Sequence, residues 1–183
     1  KLDFVFPHNN EKEFADIASK LGYDKLIFVY DYGMDISRIK DKIKNLPGKP
    51  DFGLLALPKN ITKAQKLTKH ILVKSSKENR FVIEKHKGIT IFNLEDTGKK
   101  EFIHHRSSGL NHVLCSLAKE NNITIASSFN LLLKANQELR AKILGRIKQN
   151  LKLCRKYKVK TTIASFAKSP YQMRDYKDLE SFI

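Results

Sequence analysis

The stretch "SSGLNHVLCSLAKENNITIASSF", residues 107–129, decides the fold class. Within it Leu110, Val113, Leu114 and Leu117 recur at i, i+3, i+4 and i+7, which predicts the apolar face of a helix. Ser107 or Ser108 stands where a cap would. Ile123–Ala126 follows as a short, nearly continuous apolar run, the pattern of a strand covered on both faces. A helix feeding directly into such a strand is half of a βα repeat.

The same alternation extends outward in both directions. Leu2–Phe6, Leu26–Tyr30, Phe52–Leu57, Ile71–Lys74, Ile89–Phe92 and Thr161–Ser165 read as six further strands. Between them, Asn10 and Glu13 have capping-box spacing ahead of Phe14, Ile17, Ala18 and Leu21. Asp35 can cap a helix carrying Ile36, Ile39, Ile43 and Leu46, which Pro47-Gly48 stops. Ile61, Ala64, Leu67 and Thr68 give a third helical face. Ser75 and Glu78 again have cap spacing, although Arg80–Ile83 fits a strand equally well. A long helix runs from about Asn136 to Tyr157 and a last one starts near Tyr176.

Seven βα units imply a parallel α/β architecture. A TIM-barrel-like (β/α) barrel with about seven parallel strands, in one domain over residues 1–183, is the first expectation. A doubly wound open sheet is the second. An eight-unit barrel typically needs about 250 residues, so a barrel of 183 residues would be small and incomplete toward its C-terminus.

Charge narrows the function. The chain carries 35 Lys and Arg against 19 Asp and Glu, a net +16. The excess is uneven: residues 1–100 have a net of +7, whereas residues 134–160 hold ten basic residues and one acid, Glu138. Such concentration asks for a polyanionic partner. No apolar run approaches the ~18 residues of a membrane span. The start, Lys1–Pro7, lacks signal-peptide character, so a cytoplasmic protein is expected. Cys115 and Cys154 make no zinc spacing, and Cys154, continuing an apolar stripe, reads as a small buried hydrophobe.

At 100° per residue, the helix from Asn136 to Tyr157 gathers Leu139, Ile143, Ile147, Leu151 and Cys154 within about 120° of arc. Lys142, Lys148, Lys152 and Lys156 fall opposite, with Arg146 and Arg155 at the margins. With a single acid nearby, pairing along the helix cannot neutralise these cations, and a phosphate-contacting surface is favoured. Gly145 lies among them, where a missing side chain would admit a close approach.

Enzymatic readings find less support. Active sites of parallel α/β folds sit at the C-terminal ends of strands, here Pro7-His8-Asn9, Asp31-Tyr32, Ser127-Ser128 and Lys168-Ser169-Pro170. Only His8 and Asp31 offer metal ligands there. His104 and His105 are adjacent and point opposite ways in an extended segment. A bound catalytic metal is therefore not favoured. No P-loop, GxGxxG, GxSxG or CxxC occurs.

Residues 107–129, followed by "RAKILGRIKQNLKLCRKYKVKTTIASFAKSPYQMRDYKDL", residues 140–179, resemble the ribonuclease P protein component 3 family. This is the PHP-like barrel subunit shared by archaeal and eukaryotic ribonuclease P. The Ser-Gly-Leu-Asn-His-Val block, the Asn-x-Lys-Leu-Cys-Arg-Lys-Tyr-Lys-Val block and the Ala-Lys-Ser-x-x-x-x-Arg ending carry the likeness. It is strong across residues 106–180 and weak over residues 1–100.

The resemblance implies a subunit that does not itself cleave RNA. It would support a catalytic ribonuclease P RNA, which uses Mg2+, in removing the 5′ leader of precursor tRNA. A small subunit of RNA-recognition-like fold would be its protein partner, two such pairs forming a heterotetramer. Arg106, His112, Lys119, Arg146, Lys168 and Arg174 match positions where the family carries residues suited to RNA contact. The helix analysis adds Lys148, Lys152, Arg155, Lys156 and Lys158. His112 has a second reading, a buried histidine bonding a neighbouring loop. Two departures stand out: the family's acidic residue before Ser-Gly is Ser107, and the His-x-His metal motif of PHP enzymes is reduced to His8-Asn9. The alternatives carried forward are a PHP-type metal-dependent phosphoesterase and a barrel enzyme acting on a small anionic metabolite.

Overall fold

A computed structural model describes residues 1–98, 100, 101 and 106–181. The elements run β1 (Leu2–Val5), α1 (Glu11–Lys20), β2 (Lys25–Asp31), α2 (Ile36–Ile43), β3 (Asp51–Leu55), α3 (Ile61–Ala64), β4 (Ile71–Lys74), α4 (Asn79–Lys85) and β5 (Thr90–Phe92). They continue with α5 (His112–Glu120), β6 (Thr124–Ser128), α6 (Phe129–Lys134), α7 (Gln137–Tyr157), β7 (Lys160–Ala164) and α8 (Tyr176–Glu180). All seven strands foreseen from the apolar runs are present.

The strands follow one another in sequence order in a single sheet, and the β1–β2, β2–β3, β3–β4 and β5–β6 pairings are parallel. A doubly wound sheet reverses its order at a switch point; this one never does. The fold is a TIM-barrel-like α/β fold. The chain divides into two compact units, Lys1–Leu72 with Ile163–Ile183 and Val73–Thr162.

In the first unit, Phe4 and Val5 of β1, Ile27 and Phe28 of β2 and Leu54 of β3 are buried. Phe14 of α1 meets Phe28 edge-on, and Phe166 stacks on Phe4 at 5.7 Å. The segment after β7 returns to β1: Ala167 bridges to Val5, and Phe6 N–H donates to the Ala167 carbonyl at 2.8 Å. Phe166 there has φ +47, a region that costs a non-glycine residue roughly 1–2 kcal/mol. What holds this turn is the buried Asp3. Its carboxylate accepts from Ser165 N–H and Ser165 Oγ, both at 2.6 Å, and from Phe4 N–H at 2.9 Å.

Burial pushes the Asp3 carboxyl up to about 7 against the hydrogen bonds that favour its charge. Between about pH 4 and 7 the unfolded chain therefore ionises Asp3 while the folded chain keeps its proton. Stability falls as pH rises through that window and levels off above it, by at most about 4 kcal/mol for this one group. D3N preserves the shape, its amide donating to Ser165 Oγ. Urea midpoints should show D3N gaining on the natural chain from pH 4.5 to 7.5. A difference that stays constant with pH would refute the assignment.

In the second unit, Val82 and Ile83 of α4, Ile91 of β5, Cys115 and Ala118 of α5, Ile125 of β6, and Ile143, Ile147 and Cys154 of α7 form the core. Both cysteines are buried and free of a disulfide, as read from the sequence for Cys154.

Several local expectations change. Residues 79–85 are helical, so the strand alternative is wrong: Val82 and Ile83 bury one flank while Phe81 is half exposed. The α-helix at Ile61 ends at Ala64, short of Leu67. Asn10 does not cap α1; its side chain instead accepts from His8 N–H at 2.8 Å. Neither Ser107 nor Ser108 caps α5. Asn111 does, accepting from Leu114 N–H at 2.9 Å, and both serines are buried. The buried face of α5 is turned accordingly: small Cys115 and Ala118 lie inward, letting α4 and α7 pack close, while Val113 is exposed.

Candidate nucleic-acid interface

Helix α7 is the long helix read from the sequence, and its ends show why it forms there. Asn136 Oδ1 accepts from Leu139 N–H at 2.9 Å. At the other end Lys158 adopts the left-handed conformation, φ +55, and Val159 N–H reaches back to the Cys154 carbonyl at 2.9 Å. This closes the helix in a Schellman turn with a lysine where glycine is usual. Ile143, Ile147, Leu151 and Cys154 face inward as expected. Leu139, placed on the same face, is 41% exposed.

The expected cations divide into two kinds. Lys148, Lys152, Arg155 and Lys156 of α7, and Lys158 at its end, are exposed. Among the described residues Lys148, Lys152, Lys156 and Lys158 form no ion pair with a carboxylate. Lys142 does pair with Glu138, one turn earlier. His112 and Lys119 stand exposed at the two ends of α5, so the buried reading of His112 does not hold. In the first unit Lys168 is exposed, while Arg174 is half-buried and its NH1 donates to the carbonyls of Tyr171 and Met173. Tyr171, unforeseen as a surface residue, projects at 85% exposure from the turn between them.

Arg146 is the exception that corrects the sequence reading. It is buried at 3% exposure, its Nε donating to Glu101 at 2.6 Å and its NH1 to the Glu95 carbonyl at 2.8 Å. An arginine so enclosed is a structural strut, not an RNA contact. Arg140, though exposed, also serves the fold, donating to the Leu132 and Ala135 carbonyls at the end of α6.

Around Arg146 a network fastens the segment leading to α5. Asn150 Nδ2 donates to Glu95 Oε1 at 3.2 Å and to the Ser108 carbonyl at 2.9 Å. Ser127 Oγ reaches the same Glu95 oxygen at 3.3 Å, and burial raises the Glu95 carboxyl above the usual range. Glu101 accepts from Ser107 N–H at 3.1 Å, and Ser107 Oγ donates to the Lys100 carbonyl at 2.7 Å. Gln149 takes the preceding residue: its side-chain amide exchanges two 3.1 Å hydrogen bonds with the backbone N–H and carbonyl of Arg106. Glu101 thus binds the backbone of Ser107, the position where the family's acid would stand.

At the strand ends, His8 and Asp31 border a depression of about 280 Å³ with Glu11, Tyr30, Asn9 and Lys42. Glu11 is buried, accepts from Tyr30 Oη at 3.1 Å and has Lys42 Nζ at 3.7 Å; that ammonium also donates to Asn9 at 2.7 Å. The depression is thus cross-linked by the chain's own lysine. Among the described residues no three His, Cys, Asp or Glu side chains gather to hold a metal ion. His104 and His105 lie outside the described residues.

Fold and surface together define a TIM-barrel-like α/β protein with a cationic helix face. In sequence the chain resembles ribonuclease P protein component 3: it is 33% identical to that protein of Methanocaldococcus jannaschii over 107 residues, 58% of this chain and 43% of the relative. It is 41% identical to that of Methanosarcina acetivorans over 69 residues, 38% of this chain and 29% of the relative. The chain spans less than half the length of the curated relatives it matches. A chain in the cryo-EM structure of archaeal ribonuclease P with mature tRNA superposes with a TM-score of 0.82 at 25% identity, covering 100% of this chain and 80% of that one. No family model matches. The resemblance read from residues 106–180 is therefore borne out in sequence and in fold.

Proposed function

We propose that this chain is an RNA-binding, non-catalytic subunit of ribonuclease P, supporting the catalytic RNA in 5′ maturation of precursor tRNA. The observation that carries this reading is the row Lys148, Lys152 and Lys156 on α7, four residues apart, exposed and without carboxylate partners among the described residues. Lysines so arranged offer point charges to phosphates and little to base edges, which suits binding by shape and backbone. The likeness to a chain of archaeal ribonuclease P supports ribonuclease P RNA as the polyanion. On this reading Mg2+ serves the RNA-catalysed reaction, and the protein supplies no metal ligand. Its protein partner is the small subunit of RNA-recognition-like fold, in a heterotetramer of two pairs, in the cytoplasm.

Charge reversal tests it. The double variant K152E/K156E should fold as the natural chain does, since both residues are exposed. Its affinity for archaeal ribonuclease P RNA should fall at least tenfold, and the slope of log affinity against log salt should drop by about two. Precursor-tRNA cleavage by the reconstituted holoenzyme should fall with it. Unchanged affinity and slope would sink the surface.

A further inference from the structure

We propose that Gly145 and Gln149 are positioning residues that seat Arg106 on α7 as a preformed fork for an RNA phosphodiester. The inference rests on the RNA-binding reading above and assigns it a particular device.

Glycine in the middle of a helix costs about 1 kcal/mol relative to alanine, so its presence at 145 asks for a reason. The reason is visible in the second unit. A Cβ built on Gly145 would lie within 2.6 Å of both Nε and NH1 of Arg106. The guanidinium occupies the place of the missing side chain. One turn further along, Gln149 holds the Arg106 backbone by the two 3.1 Å bonds described above. The same Gln149 amide donates to Ser108 Oγ at 2.9 Å, so the clamp is itself braced. Arg106 is thus fixed at its backbone and laid flat at its tip.

The position matters as much as the restraint. Around α7 at 100° per residue, Gly145 falls within about 60° of Lys148, Lys152 and Lys156. Arg106, borrowed from another segment, therefore extends that row by one turn toward the helix start. Four cations then span eleven residues, about 16 Å at 1.5 Å per residue. Arg106 remains exposed, and no described residue accepts a hydrogen bond from its guanidinium. Among the described residues its donors are thus unspent, beside a backbone that Gln149 holds. A planar guanidinium engages phosphate by two parallel bonds where lysine offers a point charge. Holding it in place before binding removes rotamer entropy that a loose surface arginine would lose. A strand of RNA backbone is the occupant with the matching charge and repeat.

The experiment is a double-variant cycle on the full chain, with G145A, R106A and both together. The probe is transcribed archaeal ribonuclease P RNA, with a mixed-sequence RNA duplex as comparison. G145A should melt at or above the natural chain, because alanine favours the helix, yet bind RNA about tenfold more weakly. Its salt slope should fall by about one, as one phosphate contact is lost. R106A should match it, and the double variant should add nothing further. R106K should keep the slope but recover only part of the affinity. Additive effects, or G145A and R106A binding with natural affinity and slope, would overturn the proposal. If the natural chain binds ribonuclease P RNA no better than the duplex, the functional reading fails, and the cycle on the duplex still decides the seat of Arg106.

Discussion

G109A is expected to cost about 3 kcal/mol or more of stability. Two costs coincide at this position. Gly109 has φ +84, where an L side chain is strained by roughly 1–2 kcal/mol. An added Cβ would also lie 2.5 Å from the Leu94 carbonyl oxygen and 3.2 Å from its carbon. That obstacle is backbone, not the movable end of a side chain, and forced overpacking typically costs a further 1–3 kcal/mol. Gly88 provides the control: its φ is +66, but nothing lies within 4 Å of an added Cβ. G88A should lose only the conformational part, about 1 kcal/mol. Urea midpoints of the two variants isolate the overlap. If G109A costs no more than G88A, the close approach to Leu94 is not what the glycine serves.

Gly109 also explains the Ser-Gly-Leu-Asn block from which the fold was read. Ser107 and Ser108 are anchored inward, Gly109 passes against the chain leaving β5, Leu110 is buried and Asn111 caps α5. From sequence, Ser and Asn are nearly equivalent caps, and only the three-dimensional course of the chain assigns the serines to Glu101, Lys100 and Gln149. The strands were legible because a strand covered on both faces must be apolar almost continuously, which few other segments are. The long helix was legible because its stripe, its Asn136 cap and its length agree. What escaped the sequence depends on distant partners. Arg106 meets Gln149 across 43 residues, and Arg146 meets Glu101 across 45. The glycine at 145 was noticed as an opening; its occupant proved to be an arginine of the same chain. Short α6 escaped for a different reason: six residues after Ser128 carry too few turns for a periodic signal.

Arg146 yields the second large effect, and it separates a structural cation from the RNA-facing ones beside it. On the helical wheel Arg146 lies about 60° from Ile143, on the flank of the apolar arc; its place at the margin of the cationic face and the family resemblance argued for RNA contact. R146M keeps most of the buried stem but removes the guanidinium, leaving the Glu101 carboxylate, at 22% exposure, and the Glu95 carbonyl without that donor. Breaking a fully buried pair costs 3–5 kcal/mol; with Glu101 partly solvated, about 2–3 kcal/mol is expected. E101Q should cost less, because its amide oxygen still accepts from Arg146. R146M/E101M should recover part of the loss, since an apolar pair leaves neither charge stranded. Under conditions where R146M is folded, its affinity for RNA and its salt slope should equal those of the natural chain. K152E/K156E should show the reverse, full stability with weakened binding. An R146M protein that melts normally and binds RNA poorly would return Arg146 to the interface and remove the strut from the fold.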